Sequence, residues 1–280
     1  MASKYELDLQ KVTSGFQDLS LSFTVLSWNI NGLKNANARR LMIDSVVSSI
    51  DPDVMLLQET KNSIIDPNKI SSLDTYNSVP AGNKEQAQVF FKKNGIFEKV
   101  SHSPVNLDNI LEEMFPEDET PQLRGGSVQA KVLRDRICVV HLRHKLTKRE
   151  MIFISYHNIR KGGGEGAVKK KASEFCQIVA KLHESSTLCV IAGVDINCCN
   201  FDSTDVTIPS YEATPRRKTT SKVDYFILKN PPVNCVVEAF DLFPENNEAP
   251  FYNKLQSLLL LHSKEEYDKA TDHDPLKLSF

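Results

Sequence analysis

The sequence lacks an excess of charge of either sign. Its 34 Lys and Arg residues are balanced by 36 Asp and Glu residues, which gives a net charge of −2. A strongly basic protein attracts nucleic acid or anionic membranes over its whole surface, and this chain has no such field. A polyanionic substrate would therefore have to be held by local groups at its binding site.

Long apolar runs and an export signal are also absent. No stretch approaches the roughly 20 apolar residues that a membrane-spanning helix needs, and residues 1–10 are polar and of mixed charge. We therefore expect an intracellular protein, cytoplasmic or nuclear, with no membrane partner. The six cysteines contain no C-x-x-C pair, so we expect reduced and mostly buried thiols rather than a disulfide framework.

What remains is the composition of an ordinary globular protein, with 40% hydrophobic and 25% charged residues over a length of 280. Residues 1–20 show little periodicity and are predicted to form an N-terminal tail. No linker divides residues 21–280, which are predicted to form one domain. Hairpin-like pairs of β-favouring runs are interspersed with single helical stretches, which indicates an α/β fold with sheets packed together and helices outside.

Polar residues follow several of the apolar runs at the point where each predicted strand ends. These residues are Asn29, Asn31, Glu59, His157, Asp195 and Asn197. One polar residue after a strand is ordinary loop surface, but the same feature after four strands is a pattern. We therefore predict that the ends of these strands meet at one site.

The side chains at these positions suit metal-assisted chemistry. Glu59, Asp195 and Asp272 offer hard oxygen ligands of the kind that Mg²⁺ or Mn²⁺ prefers. The neutral amides of Asn29 and Asn197 can hydrogen-bond a phosphate oxygen or an attacking water. Together these groups indicate a reaction at a phosphate ester.

Two histidines and a further carboxylate fit the same reaction. His157 and His273 can donate protons or stabilise charge on phosphorus. Asp224 can orient one of the two imidazoles, as a carboxylate does in many acid-base pairs.

These residues belong to five short motifs that occur in a fixed order. The motifs are Trp28-Asn29-Ile30-Asn31-Gly32, Leu57-Gln58-Glu59-Thr60, Gly193-Val194-Asp195-Ile196-Asn197, Lys222-Val223-Asp224-Tyr225 and Thr271-Asp272-His273-Asp274-Pro275. The pattern resembles the endonuclease/exonuclease/phosphatase superfamily from about residue 21 onwards. The resemblance implies a four-layered α/β sandwich, in which two mostly antiparallel sheets pack face to face with helices outside.

The resemblance also implies roles for the site residues. Asn29, Glu59 and Asp272 are expected at the site of Mg²⁺ or Mn²⁺, with Glu59 as the principal ligand. Asp195 resembles the residue that activates or positions the attacking water, and Asn197 its partner in binding the scissile phosphate.

Asp224 and His273 resemble the Asp-His pair of the family, and His157 is assigned a catalytic role. Abasic-site endonucleases have a Tyr in a Y-x-P-N context where this chain has His157, so the resemblance favours the deoxyribonuclease-like branch. Arg124, just before a strand predicted over 127–132, resembles an arginine that contacts backbone phosphate in that branch. Substrate contacts are expected from Asn31, Arg124, Asn158, Arg216 and Arg217.

We therefore predict hydrolysis of phosphodiester bonds in nucleic acid, by a DNA endonuclease or exonuclease. The same site would also serve a phosphatase or phosphodiesterase that acts on a small ester such as an inositol phosphate, and an inactive binding module is a third alternative. The glycines of residues 161–166 permit a relaxed dinucleotide-binding pattern, but Asp195 fits the phosphodiesterase motif better, and no nicotinamide cofactor is expected. Residues 230–270 are long for the gap between the last two motifs and are predicted to include a helix over 253–268.

Overall fold

A computed structural model describes most of the chain. The described ranges are 22–30, 36–60, 70–82, 86–103, 105–116, 128–158, 164–212, 223–231, 235–240 and 273–280. The strands in these ranges are β1 Thr24–Asn29, β2 Val54–Gln58, β3 Tyr76–Pro80, β4 Ala87–Lys92, β5 Phe97–Lys99, β6 Ile137–His144, β7 Glu150–His157, β8 Cys189–Asp195, β9 Asp224–Lys229, β10 Val236–Ala239 and β11 Leu276–Ser279. The helices are α1 Ala36–Ile50, a 3-10 helix Ser71–Thr75, α2 Leu107–Met114, α3 Val128–Arg134 and α4 Gly164–Ser186.

The strands form two mixed sheets. The first has the order β10-β11-β1-β2-β4-β3, and the second has the order β5-β6-β7-β8-β9. In each sheet one described pair is parallel, β1 with β2 and β7 with β8, while the other neighbours are antiparallel. The predicted arrangement of two mostly antiparallel sheets is confirmed.

Alternation along the strands creates the layers, because successive side chains of a strand point to opposite faces of its sheet. In β1, Val25 packs into the core between the two sheets, whereas Leu26 packs outwards against α1. In β8, Ile191 joins the same inner core, and Val190 packs into the outer core that contains α4. The order helix, sheet, sheet, helix follows, which is the predicted four-layered sandwich.

The two sheets approach each other closely near one end. A Cβ atom on Gly193 of β8 would lie 2.5 Å from Ser27 Oγ of β1, so only glycine fits there without a shift. Gln58 Nε2 donates to Gly193 O at 3.0 Å and to Ser155 Oγ at 3.2 Å. Ser155 Oγ in turn donates to Leu57 O at 2.8 Å. These buried hydrogen bonds fix the separation and the register of the sheets beneath the rim described below.

One segment contradicts the sequence-based prediction, and a second segment adds a strand to it. The strand predicted over 127–132 is wrong, since Val128–Arg134 is an α-helix. The residues Ala130 and Leu133 both pack into the outer core beside α4, a spacing of three that suits a helix face. Part of the 230–270 segment is the strand β10, which pairs with β11. The helix predicted over 253–268 and the N-terminal tail lie outside the described residues.

No helix within the described ranges is both long and apolar enough to cross a bilayer.

Candidate active site

The site lies where the two parallel strand pairs end. At the carboxyl end of the first pair Asn29 stands opposite Gln58, and at the end of the second His157 stands opposite Asp195. Asp224, the first residue of β9, stands opposite Asp195 on its other side. The pairing therefore brings side chains from both sheets to one rim, as the positions of the motifs predicted.

Asp195 is the centre of the site. Its side chain is 1% exposed, and Asn29 Nδ2 donates to its Oδ2 at 2.7 Å. The Nε2 atoms of His157 and His273 lie 3.7 and 3.9 Å from the same oxygen. Burial is the main cause that raises the pKa of Asp195 to about 6. The nearby charge of Asp224 adds to this effect, and the two imidazoles and the Asn29 amide oppose it. Asp195 is therefore a stronger base than an ordinary aspartate.

Glu59 has the opposite electrostatic character. The hydrogen bond from His157, at 3.2 Å between Nε2 and Oε1, is the largest cause that lowers the pKa of Glu59 to about 2, against the effect of burial. Asn29 Nδ2 lies 3.4 Å from the same oxygen. Glu59 is therefore ionised at neutral pH, and its side chain is 25% exposed.

Glu59 has a strained backbone conformation that places its carboxylate at the rim. Its φ of 53° lies in the left-handed region, which costs a residue with a side chain about 1–2 kcal/mol. Its N–H donates to Gln86 O at 2.8 Å, so the turn after β2 is tied to the residue before β4. The cost is offset by the bonds that fix the carboxylate at the rim.

His273 is held by two contacts of different kinds. Its Nδ1 lies 2.8 Å from Asp224 Oδ2 and 3.0 Å from Oδ1, so the predicted Asp-His pair is present. Trp28 Nε1 donates to the backbone carbonyl of His273 at 3.1 Å. The indole ring of Trp28 is buried in the outer core beside α1, and its N–H also anchors the segment that carries His273.

His157 has a partner that sequence reasoning missed. Arg136, the residue before β6, places its Nη1 3.3 Å from His157 Nδ1 and donates to the carbonyl of His157 at 3.2 Å. The N–H of His157 donates to the carbonyl of Arg136 at 3.2 Å. No motif marks Arg136, and only the register of the hairpin β6–β7 brings it to the site.

Asn158 and Asn197 form the loop behind Asp195. Asn197 has a φ of 58°, its N–H donates to Asp195 Oδ1 at 2.9 Å, and its Nδ2 donates to Asn158 O at 3.1 Å. The side chain of Asn158 is fully buried, donates to Ile196 O at 2.7 Å and accepts from Tyr156 OH at 2.9 Å. This position does not support the predicted substrate contact of Asn158, because its side chain is turned into the protein and braces the loop.

Among the described residues, two overlapping groups of side chains have a spacing that could hold a cation. Glu59, His157 and Asp195 place one ligand atom each within 4.8 Å of one another, and so do Asp195, Asp224 and His273. A permanently ionised and partly exposed Glu59 beside amide and imidazole groups fits a hard divalent cation. The remaining predicted site residues lie outside the described part of the chain, and their roles stay predictions: Asn31, Arg124, Arg216, Arg217 and Asp272.

The fold has counterparts among solved structures. D. rerio TDP2 complexed with single strand DNA product is 12% identical, with a TM-score of 0.59 and coverage of 93% of this chain and 99% of that one. The human nocturnin catalytic domain with bound sulfate is 14% identical, with a TM-score of 0.55 and coverage of 92% and 93%. A mannosyl-6-phosphatase from Bacteroides thetaiotaomicron is 16% identical, with a TM-score of 0.56 and coverage of 92% and 98%. At these identities the likeness shows the fold, an α/β sandwich.

The family itself is shown by the sequence. The profile of the endonuclease/exonuclease/phosphatase family matches residues 26–273, and the chain belongs to that family. No curated protein sequence matches it significantly. Members of the family are typically divalent-metal-dependent hydrolases that act on phosphodiesters or phosphate esters.

Proposed function

We propose that the protein is a divalent-metal-dependent phosphodiesterase that hydrolyses phosphodiester bonds in nucleic acid, with DNA as the favoured substrate. The observation that supports it best is the buried Asp195 carboxylate, which Asn29, His157 and His273 surround within 4 Å. This arrangement combines a base with three groups that can contact a phosphate, and it stands beside the ionised Glu59.

The proposed metal ligands are Glu59, Asn29 and Asp272. A divalent cation bound there, Mg²⁺ or Mn²⁺, would neutralise charge on the scissile phosphate and so lower the barrier to attack.

Asp195 is the proposed base. With a pKa of about 6, it is ionised at neutral pH and can accept a proton from the attacking water more readily than an ordinary aspartate. The N–H of Asn197 and the amide of Asn29 bind its two oxygens separately, so the carboxylate has one fixed orientation. The Asn197 side chain is the proposed phosphate ligand on the same loop.

The two imidazoles are proposed to stabilise the transition state. His157 Nε2 and His273 Nε2 both point towards the Asp195 oxygen, from opposite sheets, where a phosphate would meet them. The carboxylate of Asp224 fixes the His273 ring through Nδ1, so that Nε2 lies on the side of Asp195.

The choice of nucleic acid is supported by TDP2, which has been solved with a single strand DNA product on the same fold. A small phosphate ester is the second candidate, since the mannosyl-6-phosphatase also shares the fold. The net charge of −2, with no overall attraction for a polyanion, favours this second candidate.

The test is a set of isosteric substitutions assayed on both kinds of substrate. Wild type, Glu59→Gln and Asp195→Asn are incubated with Mg²⁺ or Mn²⁺ and single-stranded DNA, duplex DNA, RNA or a panel of phosphate esters. We expect metal-dependent DNA cleavage by the wild type and a loss of roughly 10²–10⁴-fold in each variant. Glu184→Gln, at an exposed glutamate of α4, is the matched control for loss of a carboxylate.

Each outcome separates the candidates. Full cleavage by Glu59→Gln and Asp195→Asn would refute the assigned site. Turnover of an ester without cleavage of any oligonucleotide would favour the second candidate. Binding of oligonucleotide without turnover of any substrate would indicate an inactive binding module.

A further inference from the structure

The two histidines of the site meet different partners at the same ring atom. Arg136 Nη1 lies 3.3 Å from Nδ1 of His157, whereas Asp224 Oδ2 lies 2.8 Å from Nδ1 of His273. A guanidinium group has N–H donors and no acceptor, while a carboxylate accepts. A hydrogen bond to each partner therefore requires a bare Nδ1 on His157 and a protonated Nδ1 on His273.

We infer that Arg136 and Asp224 hold the two imidazoles in opposite tautomers, and that Arg136 is a positioning residue that makes His157 a hydrogen-bond donor at Nε2. The catalytic meaning of this arrangement rests on the proposed function, but the tautomers themselves do not.

The place of Arg136 is well fixed. It is bound to His157 at three points, through the ring, through the carbonyl of His157 and through its own carbonyl. Burial lowers the pKa of the Arg136 guanidinium, yet an arginine remains charged at any pH at which the protein is folded. It therefore always presents a donor to Nδ1.

The two tautomers give the rings different donor and acceptor atoms at Nε2. The Nε2–H of His157 points at Glu59 Oε1, 3.2 Å away, and can donate to a phosphate oxygen without transferring its proton. In its neutral form His273 keeps its proton on Nδ1 beside Asp224, so its Nε2 is the nitrogen that can take up a proton and later return it. His157 can thus donate to the phosphate in its neutral form, whereas His273 can donate from Nε2 only after it has taken up a proton, and Asp195 remains the proposed base.

The direct test needs no substrate and no metal. Two-dimensional ¹H–¹⁵N spectra of the imidazole rings at alkaline pH distinguish the tautomers, and His157→Ala and His273→Ala assign the signals. We expect the Nε2–H form for His157 and the Nδ1–H form for His273 in the wild type. Because Glu59 Oε1 also holds the Nε2–H form, the Arg136 variants are made in a Glu59→Ala background. There Arg136→Met is expected to give His157 a mixture of tautomers, Arg136→Gln to keep part of the Nε2–H form through its amide donor, and His273 to stay unchanged in both.

A kinetic test separates positioning from direct contact. Arg136→Met is expected to lower kcat by about 10- to 100-fold, the usual effect of losing a residue that orients a reacting group. In a His157→Ala background the same substitution is expected to have no further effect, because its target is gone. Thermal melts of all variants show whether they are folded, and Arg136→Gln serves if Arg136→Met is not.

Several results would overturn the inference. The first is an Nδ1–H tautomer of His157 in the wild type, and the second is a tautomer of His157 that Arg136→Met leaves unchanged in the Glu59→Ala background. The third is a pair of kcat losses, from Arg136→Met and His157→Ala, that multiply in the double variant. If the wild type cleaves no substrate, the proposed function fails, while the spectra still decide the tautomers.

Discussion

The buried carboxylate of Asp195 gives the metal-free protein a pH dependence that can be predicted in sign and size. Burial raises the pKa of Asp195 from 3.8 to about 6 in the folded chain, whereas the unfolded chain exposes it to water. Between these values the folded state binds the proton and the unfolded state does not. The free energy of unfolding contributed by Asp195 therefore falls as pH rises through this window and is lowest above pH 6.

The size follows from the shift of about two pKa units, which corresponds to about 3 kcal/mol. The side chain is 1% exposed, so solvent screening does not reduce this figure much. Asp195→Asn removes the titration. In the wild type Asn29 Nδ2 donates to Oδ2 of Asp195 at 2.7 Å, and the new amide opposes this hydrogen bond with its own N–H group. The free-energy cost of the lost hydrogen bond does not vary with pH. At pH 4 the unfolded carboxylate is already more than half ionised, so part of this free energy is lost below the measured range. The stability of Asp195→Asn relative to wild type should therefore increase by about 2.5 kcal/mol from pH 4 to pH 7.

The assay is urea unfolding with EDTA present, followed by the fluorescence of Trp28, which is the single tryptophan and is buried. Both proteins are measured at intervals from pH 4 to pH 7, and Asp74→Asn, at an exposed carboxylate, is the control. A difference between Asp195→Asn and wild type that stays constant within about 1 kcal/mol would refute the reasoning. It would mean that the folded protein does not penalise the charge on Asp195.

Two further substitutions test the Asp-His pair and the contact between the sheets. Asp224→Asn replaces one carboxylate oxygen beside His273 Nδ1 by an amide N–H donor, which can favour the opposite tautomer of the ring, and removes the negative charge of the pair. It is expected to lower kcat by about 10²–10⁴-fold in steady-state assays, with KM nearly unchanged; wild-type turnover would show that the pair is dispensable. Gly193→Ala places a Cβ 2.5 Å from Ser27 Oγ and 2.6 Å from its Cβ, so urea unfolding is expected to show a loss of about 1–3 kcal/mol. Ser27→Gly in the same chain should restore most of that loss, and a double variant no more stable than Gly193→Ala would refute the explanation.

Much of the fold could be predicted because it depends on short-range patterns. The four apolar runs that precede the motifs form β1, β2, β7 and β8, as expected from their length and β-branched content. The error over 127–132 has a physical reason. Val128–Arg134 is only seven residues long, and a short apolar segment takes the structure that its surroundings favour, here the outer core beside α4.

The site residues that could be predicted are those that lie in the sequence motifs. Glu59, Asp195 and His273 come from three separate strand ends, yet each was recognisable from its neighbours in sequence. Their convergence follows from the two parallel strand pairs, which set the carboxyl ends of β1 and β2, and of β7 and β8, at the same rim. The electrostatic difference between the two carboxylates could not be predicted, because burial and the imidazole contacts that cause it exist only in the folded chain.

The place of Arg136 in the site could not be predicted from the sequence, because it depends on the register of two strands. The residue has no motif, but β6 and β7 form a hairpin in which Ile137 pairs with Tyr156. The same register, carried one residue further, sets Arg136 beside His157, and the backbone hydrogen bond between them confirms it. The sequence predicts hairpin-like pairs of strands but not their register, which here depends on the turn over 145–149. A site residue at a strand end thus also has a neighbour on the paired strand of the hairpin. Motif spacing along the chain does not reveal this neighbour.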